Sequence, residues 1–218
     1  MPLFVNRNTD PVCYALVSYK CLYSKFSGSE DWRGVSEYFT PRLLLHKLVR
    51  TPGAKLLIVM RNPYERTVSC FKDKYRKQPT RIHEANFEWQ YCHDLVFQQI
   101  GVRLDASDEE KAAALLELSF QRFMKILPKI YMSDGHFSPQ YWALRIHWAG
   151  RRLPGLGRFK VVHMENPDEL ETLPSLEFSV FSNSTKHISA DFDWDEESRA
   201  IVQKLYHKDF ILGGYSCA

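Results

Sequence analysis

The fold of this chain is decided by the segment Lys55-Leu-Leu-Ile-Val-Met-Arg-Asn-Pro-Tyr-Glu-Arg-Thr-Val-Ser-Cys-Phe-Lys-Asp-Lys74. Its apolar run from Leu56 to Met60 is typical of a strand buried on both faces of a parallel sheet. Pro63 cannot continue a strand but fits the first turn of a helix, and residues 64–75 have helical apolar spacing. The segment therefore predicts a strand, a short turn and a helix.

The turn in this segment has the features of an anion site. Arg61 directly follows the predicted strand, and the backbone amides that open the next helix favour negative charge. Ser69 lies within two turns of that helix start. An arginine at such a position can also cap the sheet or pair with a surface carboxylate, so the residues by themselves leave both interpretations open.

A second segment near the start of the chain has the same order. The apolar run at residues 11–19 predicts a strand, and Lys20 and Lys25 follow it together with hydroxyl side chains. Ligands of doubly wound sheets collect at the carboxyl ends of the strands, so we expect both basic turns to line one crevice. Solvated surface lysines are the alternative. The chain lacks a Gly-x4-Gly-Lys-Ser/Thr sequence, which argues against a P-loop ATPase or kinase.

Composition predicts a single domain over residues 1–218. The hydrophobic share of 44% is enough for one substantial core, and the net charge of +3 is too small for a typical nucleic-acid binder. No segment has the apolar length of a signal peptide or a membrane span. Five cysteines without a CxxC pair or metal-like histidine spacing predict free thiols, no metal site and a reducing, cytoplasmic location.

A more specific pattern is Arg61-Asn-Pro-x-x-Arg66-x-x-Ser69-x-Phe71. It resembles the 3′-phosphate-binding motif of sulfotransferases that use 3′-phosphoadenosine-5′-phosphosulfate (PAPS), particularly the carbohydrate-type, family 2-like branch. The resemblance implies a P-loop-like sulfotransferase fold, which is an α/β domain with a central, mainly parallel sheet flanked by helices. It also implies that Arg61 and Ser69 hold the 3′-phosphate and that no metal is required. Arg66 would be a cation that either faces the phosphate or supports the site indirectly.

The first basic turn resembles the 5′-phosphosulfate loop of the same superfamily, Pro-Lys-x-Gly-Thr/Ser-Thr/Ser-Ser. Lys20 matches the lysine that contacts the leaving phosphate, and Ser24 matches a hydroxyl position. Leu22 stands where the family has glycine, Tyr23 replaces a small hydroxyl residue and Lys25 takes a small polar position. The loop backbone is therefore expected to differ or to approach the phosphate less closely. The resemblance implies that Lys20 is catalytic. It also implies that the donor is bound by Lys20, Tyr23, Ser24 and Lys25.

Transfer to a hydroxyl requires a general base whose pKa lies near the working pH, which favours histidine. His46 lies between the two basic turns, where several carbohydrate sulfotransferases place their base. His136 and Gln140 form a His-x-x-Pro-Gln segment that resembles one in the same branch, so both become candidate pocket residues. His46 and His136 are the candidate catalytic bases, with Glu37 or Glu165 as alternatives and an ordinary structural role open for each histidine.

The rest of the chain predicts scaffold elements. Residues 108–127 predict one amphipathic helix with Asp108 as its N-cap and Pro128 at its end, residues 159–165 a strand, and residues 195–212 a helix. As a helix, residues 81–99 would present aromatic side chains, for which a place in the core is favoured over an acceptor pocket. Lys186, just before the last helix, is a further candidate ligand of the donor.

The sequence thus predicts an enzyme that transfers a sulfuryl group from PAPS to a hydroxyl of a small metabolite or a saccharide and releases adenosine 3′,5′-bisphosphate (PAP). Nucleic acid and membranes are not expected partners, and the oligomeric state is not predicted. The alternatives are a nucleotide-dependent phosphotransferase of related fold and a non-catalytic module that binds an anion or RNA.

Overall fold

The chain forms two compact units in a computed structural model, which describes residues 2–19, 21–36, 46–47, 49–140, 159–176 and 192–217. Unit one consists of residues 1–62, 140–183 and 208–218, and unit two of residues 63–139 and 184–207. Each unit is described by itself below. The expectation of one domain over residues 1–218 stays a prediction.

Unit one is built on a mixed sheet of five strands. They are β1 (Leu3–Asn6), β2 (Cys13–Val17), β3 (Trp32–Ser36), β4 (Lys55–Met60) and β5 (Phe159–His163). Their order in the sheet is β3-β1-β2-β4-β5. β2 and β4 pair in parallel, as do β4 and β5, whereas β1 pairs antiparallel with both β2 and β3. The α/β class with a central sheet is confirmed, and so are the three predicted strands.

The central position of β2 and β4 follows from their apolar composition. Every residue of β2 is buried, and so is every residue of β4 after Lys55. Because successive side chains of a strand point to opposite faces, Ala15 and Leu57 pack in the core on one face, and Leu16 and Ile58 in the core on the other. Strands buried on both faces have no polar alternation, which is why the sequence shows them as continuous apolar runs.

The helices described here connect these strands or build unit two. Pro63 begins the helix that follows β4, as predicted, and this helix continues into a π-helical turn and a 3-10 turn, Asp73–Lys77 and Gln78–Arg81. In chain order the α-helices are α1 (Tyr23–Ser27), α2 (Pro63–Lys72), α3 (Tyr91–Ile100), α4 (Asp108–Glu117), α5 (Phe120–Ile130), α6 (Pro167–Glu171) and α7 (Glu196–Gly213).

Both faces of the sheet in unit one are covered in part by these helices. Phe26 of α1 and Leu170 of α6 are buried in the core that contains Ala15 and Leu57. Leu212, near the end of α7, packs against the core on the opposite face. The sheet therefore has hydrophobic contacts on both faces, which leaves the strand ends as the positions from which polar loops project.

Unit two has an aromatic core. Phe71 of α2 contacts three other phenylalanine rings at centroid distances of 5.2 to 5.6 Å, and Tyr75 in the π-helical turn lies 5.2 Å from Phe123. Edge-to-face and tilted ring pairs of this kind stabilise a core beyond the burial of their area. The rings in this cluster are those of Phe71, Tyr75, Phe120, Phe123, Phe137 and Phe192.

The prediction of one helix over residues 108–127 is wrong in three details. The N-cap is Ser107, whose side chain accepts from the Glu110 amide, and Asp108 is the first helical residue. The helix breaks because Leu118 is extended and Ser119 starts a new helix, accepting from the amide of Arg122. Pro128 lies inside α5, near its end, where a missing amide removes only one intrahelical bond.

The aromatic stretch at residues 81–99 is helical only from Tyr91 onward. Phe87 and Trp89 lie in the preceding loop, and Trp89 contacts the ring of Phe97 at 5.3 Å. Phe97 is fully buried, whereas 59% of Tyr91 is exposed. The expectation of a core role is therefore confirmed for Phe97 but not for Tyr91.

No helix among the described residues has the length and apolar character needed to cross a membrane.

His93 is a fully buried histidine in unit two that the sequence did not single out. Its Nδ1 accepts from the Gln90 amide at 2.9 Å, and its Nε2 lies 3.1 Å from the carbonyl of Lys74, so Nε2 carries the proton of the neutral ring. Burial lowers the pKa of His93 to about 4. Because the neutral ring is favoured in the folded state, the unfolded chain binds the extra proton between pH 6.5 and pH 4.

The first prediction concerns the acid sensitivity caused by His93. Stability conferred by the neutral ring is fully present above pH 6.5 and is lost as the pH falls toward 4. Between pH 7.5 and pH 5, the free energy of unfolding of His93→Gln should fall by about 2 kcal/mol less than that of the wild type, as measured by urea unfolding. Glutamine at this position can still accept from the Gln90 amide, as in a capping box.

The matched control is His83→Gln, because His83 is exposed in a loop of the same unit. This control should keep the wild-type pH dependence. Equal pH slopes in wild type and His93→Gln would contradict the assignment of a neutral, buried His93.

Candidate functional site at the strand ends of unit one

The two basic turns predicted from the sequence begin next to each other. β2 and β4 are neighbouring parallel strands in which Val17 is opposite Val59, so both carboxyl ends lie at the same edge of the sheet. The chain continues from β2 into residues 18–22 and from β4 into Arg61 and Asn62. This is the edge at which α/β sheets place their ligands.

Gln140 joins the two turns through its side-chain amide. Its Oε1 accepts from the Arg61 amide at 2.9 Å, and its Nε2 donates to the Arg61 carbonyl at 2.7 Å. On the β2 side, the Cys21 thiol lies 3.1 Å from the same Oε1 and the Ser18 hydroxyl lies 3.4 Å from it. One side chain thus holds the peptide of Arg61 and contacts Ser18 and Cys21 on the β2 side.

Gln140 is itself fixed within unit one. Its backbone amide donates to Asp209 Oδ2 at 2.8 Å, and both residues are completely buried. The sequence placed Gln140 in a ligand pocket, but burial turns its amide toward the protein backbone. The side-chain role could not be found from the sequence, because its partner Arg61 is 79 positions away.

Leu22 has the backbone conformation that glycine favours. It lies in the left-handed region, with φ 63° and ψ 14°, at the N-cap of α1. A left-handed non-glycine residue costs roughly 1–2 kcal/mol, which burial of the leucine side chain in the core of unit one can offset. The expected departure from a glycine-like loop backbone is therefore not seen at Leu22 itself.

Glu165 holds the other side of the turn after β4. Its Oε1 accepts from the Asn62 amide at 2.6 Å, and its Oε2 accepts from the Tyr215 hydroxyl at 3.0 Å. Burial raises the pKa of Tyr215, and the Glu165 carboxylate raises it further, so the phenol stays protonated and donates. Both oxygens of Glu165 are engaged in this way, which indicates an orienting role and disfavours Glu165 as the general base.

His163, at the end of β5, links that strand to the end of α7. Its Nδ1 lies 2.8 Å from Glu169 Oε2, and its Nε2 lies 2.7 Å from the carbonyl of Gly213. Desolvation acts to raise the pKa of Glu169, but the hydrogen bonds from His163 lower it overall. The Tyr215 ring packs edge-on against His163 at 5.4 Å, so the chain after α7 is held at the strand ends.

Arg66, in unit two, is buried and binds backbone. Only 3% of the residue is exposed, and its Nη2 donates to the carbonyls of His136 and Ser138 at 3.0 and 2.9 Å, with Gly135 at 3.4 Å. A single guanidinium therefore organises the turn after α5. This geometry favours indirect support of the site by Arg66 over direct contact with the phosphate.

Ser69 lies on α2 in unit two and is half-buried. Its hydroxyl forms no hydrogen bond with any residue in the described ranges. A half-buried helical serine normally satisfies its hydroxyl with the carbonyl one turn earlier or with water. The Ser69 hydroxyl is thus available as a donor to a ligand.

His136 is paired with a carboxylate. Its Nδ1 lies 2.6 Å from Asp134 Oδ1, which also accepts from the His136 amide at 2.7 Å. Burial acts to raise the pKa of Asp134, but the hydrogen bonds from His136 hold it below its usual value. Asp134 therefore stays ionised and orients the imidazole, an arrangement that suits a general base.

The remaining predicted site residues are distributed as follows. His46 is exposed in a helical stretch, Ser24 is exposed on α1, and Lys25 is half-buried there. The Tyr23 ring packs against Phe4 at 5.8 Å and Tyr19 at 5.1 Å. Lys20, Lys186 and the alternative base Glu37 lie outside the described residues. Within the described ranges, no group of three or more metal-ligating side chains is close enough to bind an ion.

The second prediction tests the backbone role of Arg66. Arg66→Ala should lower the free energy of unfolding by about 3 kcal/mol, because the carbonyls of the turn lose a buried, charged donor. Urea unfolding measures this change. Arg103→Ala is the control, since Arg103 is an exposed arginine of the same unit that pairs only with Asp105 among the described residues, and it should change little. Equal effects of both substitutions would contradict the role assigned to Arg66.

Comparison with known protein families gives one match over much of the chain. The model of the sulfotransferase family matches residues 36–149, more than half of the 218 residues. The match includes the motif from Arg61 to Phe71 and the turn at Gln140, and it begins after the turn at Lys20. Comparisons with curated proteins and with solved structures gave no match. The chain belongs to the sulfotransferase family.

Proposed function

We propose that this sulfotransferase transfers a sulfuryl group from PAPS to a hydroxyl of a small metabolite or a saccharide. The observation that supports the proposal is that one buried amide, that of Gln140, bonds to both of the turns that the sequence predicts as anion sites, at the carboxyl ends of parallel strands. A donor with phosphate groups at both ends of a nucleoside requires two such turns. Family membership supports the reaction type.

The residues after β4 fit the 3′-phosphate of the donor. The motif assigns this phosphate to Arg61 and Ser69. The half-buried Arg61 supplies charge, and the Ser69 hydroxyl has no hydrogen-bond partner in the described part of the chain. Charged hydrogen bonds from arginine to phosphate are among the strongest in proteins. Arg66 supports this motif indirectly through the turn at residues 135–138.

The turn after β2 fits the 5′-phosphosulfate. Its assignment to Lys20, Tyr23, Ser24 and Lys25 follows from the family resemblance, and the left-handed backbone at Leu22 supports it. The family has glycine at that position, and Leu22 adopts a conformation that glycine favours. Leu22 therefore supplies a conformation that glycine favours, with a larger side chain. Lys186 is proposed as a further ligand on the resemblance alone.

The chemistry is an in-line displacement at sulfur. The acceptor oxygen forms a bond to sulfur while the bond from sulfur to the bridging oxygen of the 5′-phosphate breaks, and the electron pair of that bond stays on the phosphate. Lys20 stabilises the charge that develops on this oxygen. The acceptor proton passes to a general base, for which we propose His136, because Asp134 orients its ring. His46 is the second candidate.

The proposed setting is a reducing compartment such as the cytoplasm. All five cysteines are free thiols, and four of them are buried. Free buried cysteines are typical of proteins that do not pass through an oxidising environment. A small hydroxylated acceptor that occurs in that compartment is consistent with this setting, and a saccharide is consistent with the carbohydrate-type resemblance.

The third prediction tests donor binding. Calorimetry should show that the wild-type protein binds PAP and that Arg61→Ala weakens binding at least tenfold, since a charged hydrogen bond contributes about 1.5–3 kcal/mol. Arg33→Ala is the matched control, because Arg33 is an exposed arginine on β3 of the same unit. It should bind PAP as the wild type does.

Failure of the wild-type protein to bind PAP would contradict the proposed function. Turnover of ATP that depends on magnesium would favour the phosphotransferase instead. Salt-sensitive binding of oligonucleotides without PAP binding would favour the RNA-binding module.

The fourth prediction separates the catalytic roles. Lys20→Ala should lower kcat by about 100-fold or more, with a smaller effect on the KM for PAPS, because its charge acts mainly in the transition state. His136→Asn should lower kcat by about 100-fold, and His46→Asn should leave kcat unchanged. Lys55→Ala, at the exposed amino end of β4, is the control for loss of a lysine. Loss of activity only in the His46 variant would assign the base to His46 and contradict the role of His136.

A further inference from the structure

The proposed reaction gives Gln140 no role of its own, although its side chain bonds to both turns. Its amide bonds to the turn after β2 and to the turn after β4, which are the turns proposed for the two ends of the donor. We propose that Gln140 is a positioning residue that sets the spacing, within unit one, between the turn after β2, proposed for the 5′-phosphosulfate, and Arg61, proposed for the 3′-phosphate. This inference rests on the proposed function.

The orientation of the Gln140 amide is determined by the Arg61 peptide. An amide N–H can only donate and a carbonyl can only accept, so Oε1 faces the Arg61 amide at 2.9 Å and Nε2 faces its carbonyl at 2.7 Å. The same Oε1 then faces the Cys21 thiol at 3.1 Å. In a flipped amide, Nε2 would face the Arg61 N–H and Oε1 would face the Arg61 carbonyl, and neither pair could form a hydrogen bond. Only one orientation is therefore stable.

Burial makes these bonds effective. Gln140 is completely buried, and Ser18 and Cys21 are 2% and 0% exposed. Water cannot replace a lost bond at such a site, so an unsatisfied Arg61 peptide would have to shift to find a new partner. The backbone amide of Gln140 is held in turn by the fully buried Asp209. The residue is therefore anchored at its backbone and at its side chain.

The consequence for binding is coupling between the two phosphate sites. A nucleoside bisphosphate gains from both sites only if their spacing matches its own, and preorganised sites avoid the cost of ordering the turns on binding. A nucleoside monophosphate engages one site and depends little on the spacing. Loss of Gln140 should therefore weaken bisphosphate binding more than monophosphate binding.

The experiment measures a ratio of affinities. The Kd values of adenosine 5′-monophosphate and of PAP are determined by calorimetry, directly or by competition, for the wild type and for Gln140→Met, which keeps the length of the side chain without its amide. We expect the Kd of adenosine 5′-monophosphate divided by the Kd of PAP to fall about tenfold in Gln140→Met, because PAP binding weakens more. Partial unfolding multiplies both Kd values by the same factor and leaves their ratio unchanged, so a purely structural role would not move it.

Two further variants complete the test. Gln121→Met is the matched control, because the Gln121 side chain donates to a backbone carbonyl in unit two, and it should keep the wild-type ratio. Ser18→Ala removes only a hydroxyl on the β2 side and is expected to fold even if Gln140→Met does not. Its ratio of the monophosphate Kd to the PAP Kd should be about threefold lower than that of the wild type. An unchanged ratio in the folded variants would overturn the positioning role. Absence of PAP binding by the wild type would instead overturn the proposed function.

Discussion

The need to satisfy backbone groups where the chain leaves a sheet governs this structure. Inside a parallel sheet each strand supplies partners for its neighbour, but the first residues beyond the strand end have none. Here side chains supply them: the amide of Gln140 for the Arg61 peptide and the carboxylate of Glu165 for the Asn62 amide. The edge of unit one at which we propose the donor to bind is therefore shaped by polar side chains from distant parts of the sequence.

The fold elements that could be predicted are those with a strong local signal. β2 and β4 are continuous apolar runs, and Pro63 marks the start of α2. β1 and β3 escaped prediction because short antiparallel strands at one side of a sheet lack such a run; β1 has only four residues, and β3 contains exposed positions. The break after α4 was not predicted because the sequence on both sides of it favours a helix. The Ser119 side chain caps a new helix there, which competes with continuation of α4.

The charged and hydroxyl residues of the candidate site could be predicted from the sequence, but the side chains that hold its turns in place could not. Arg61 and Ser69 stand in a motif that can be read along the chain, and the neighbouring position of the two turns follows from parallel pairing. The partners of Gln140 and Glu165 are 79 and 103 positions away, so no spacing rule connects them. Arg66 shows the same limit, because the motif allows a phosphate-facing or an indirect role, and only its burial against backbone carbonyls favours the indirect one.

The left-handed Leu22 has a consequence for how the turn after β2 moves. A glycine there would let the turn open on its own, whereas the leucine side chain is buried among the core residues of unit one. The amides of Lys25 and Phe26 both bond to the Leu22 carbonyl, at 2.9 and 3.2 Å. Their hydrogen exchange should therefore follow opening of the core and not local fraying, which is unusual for a helix of five residues.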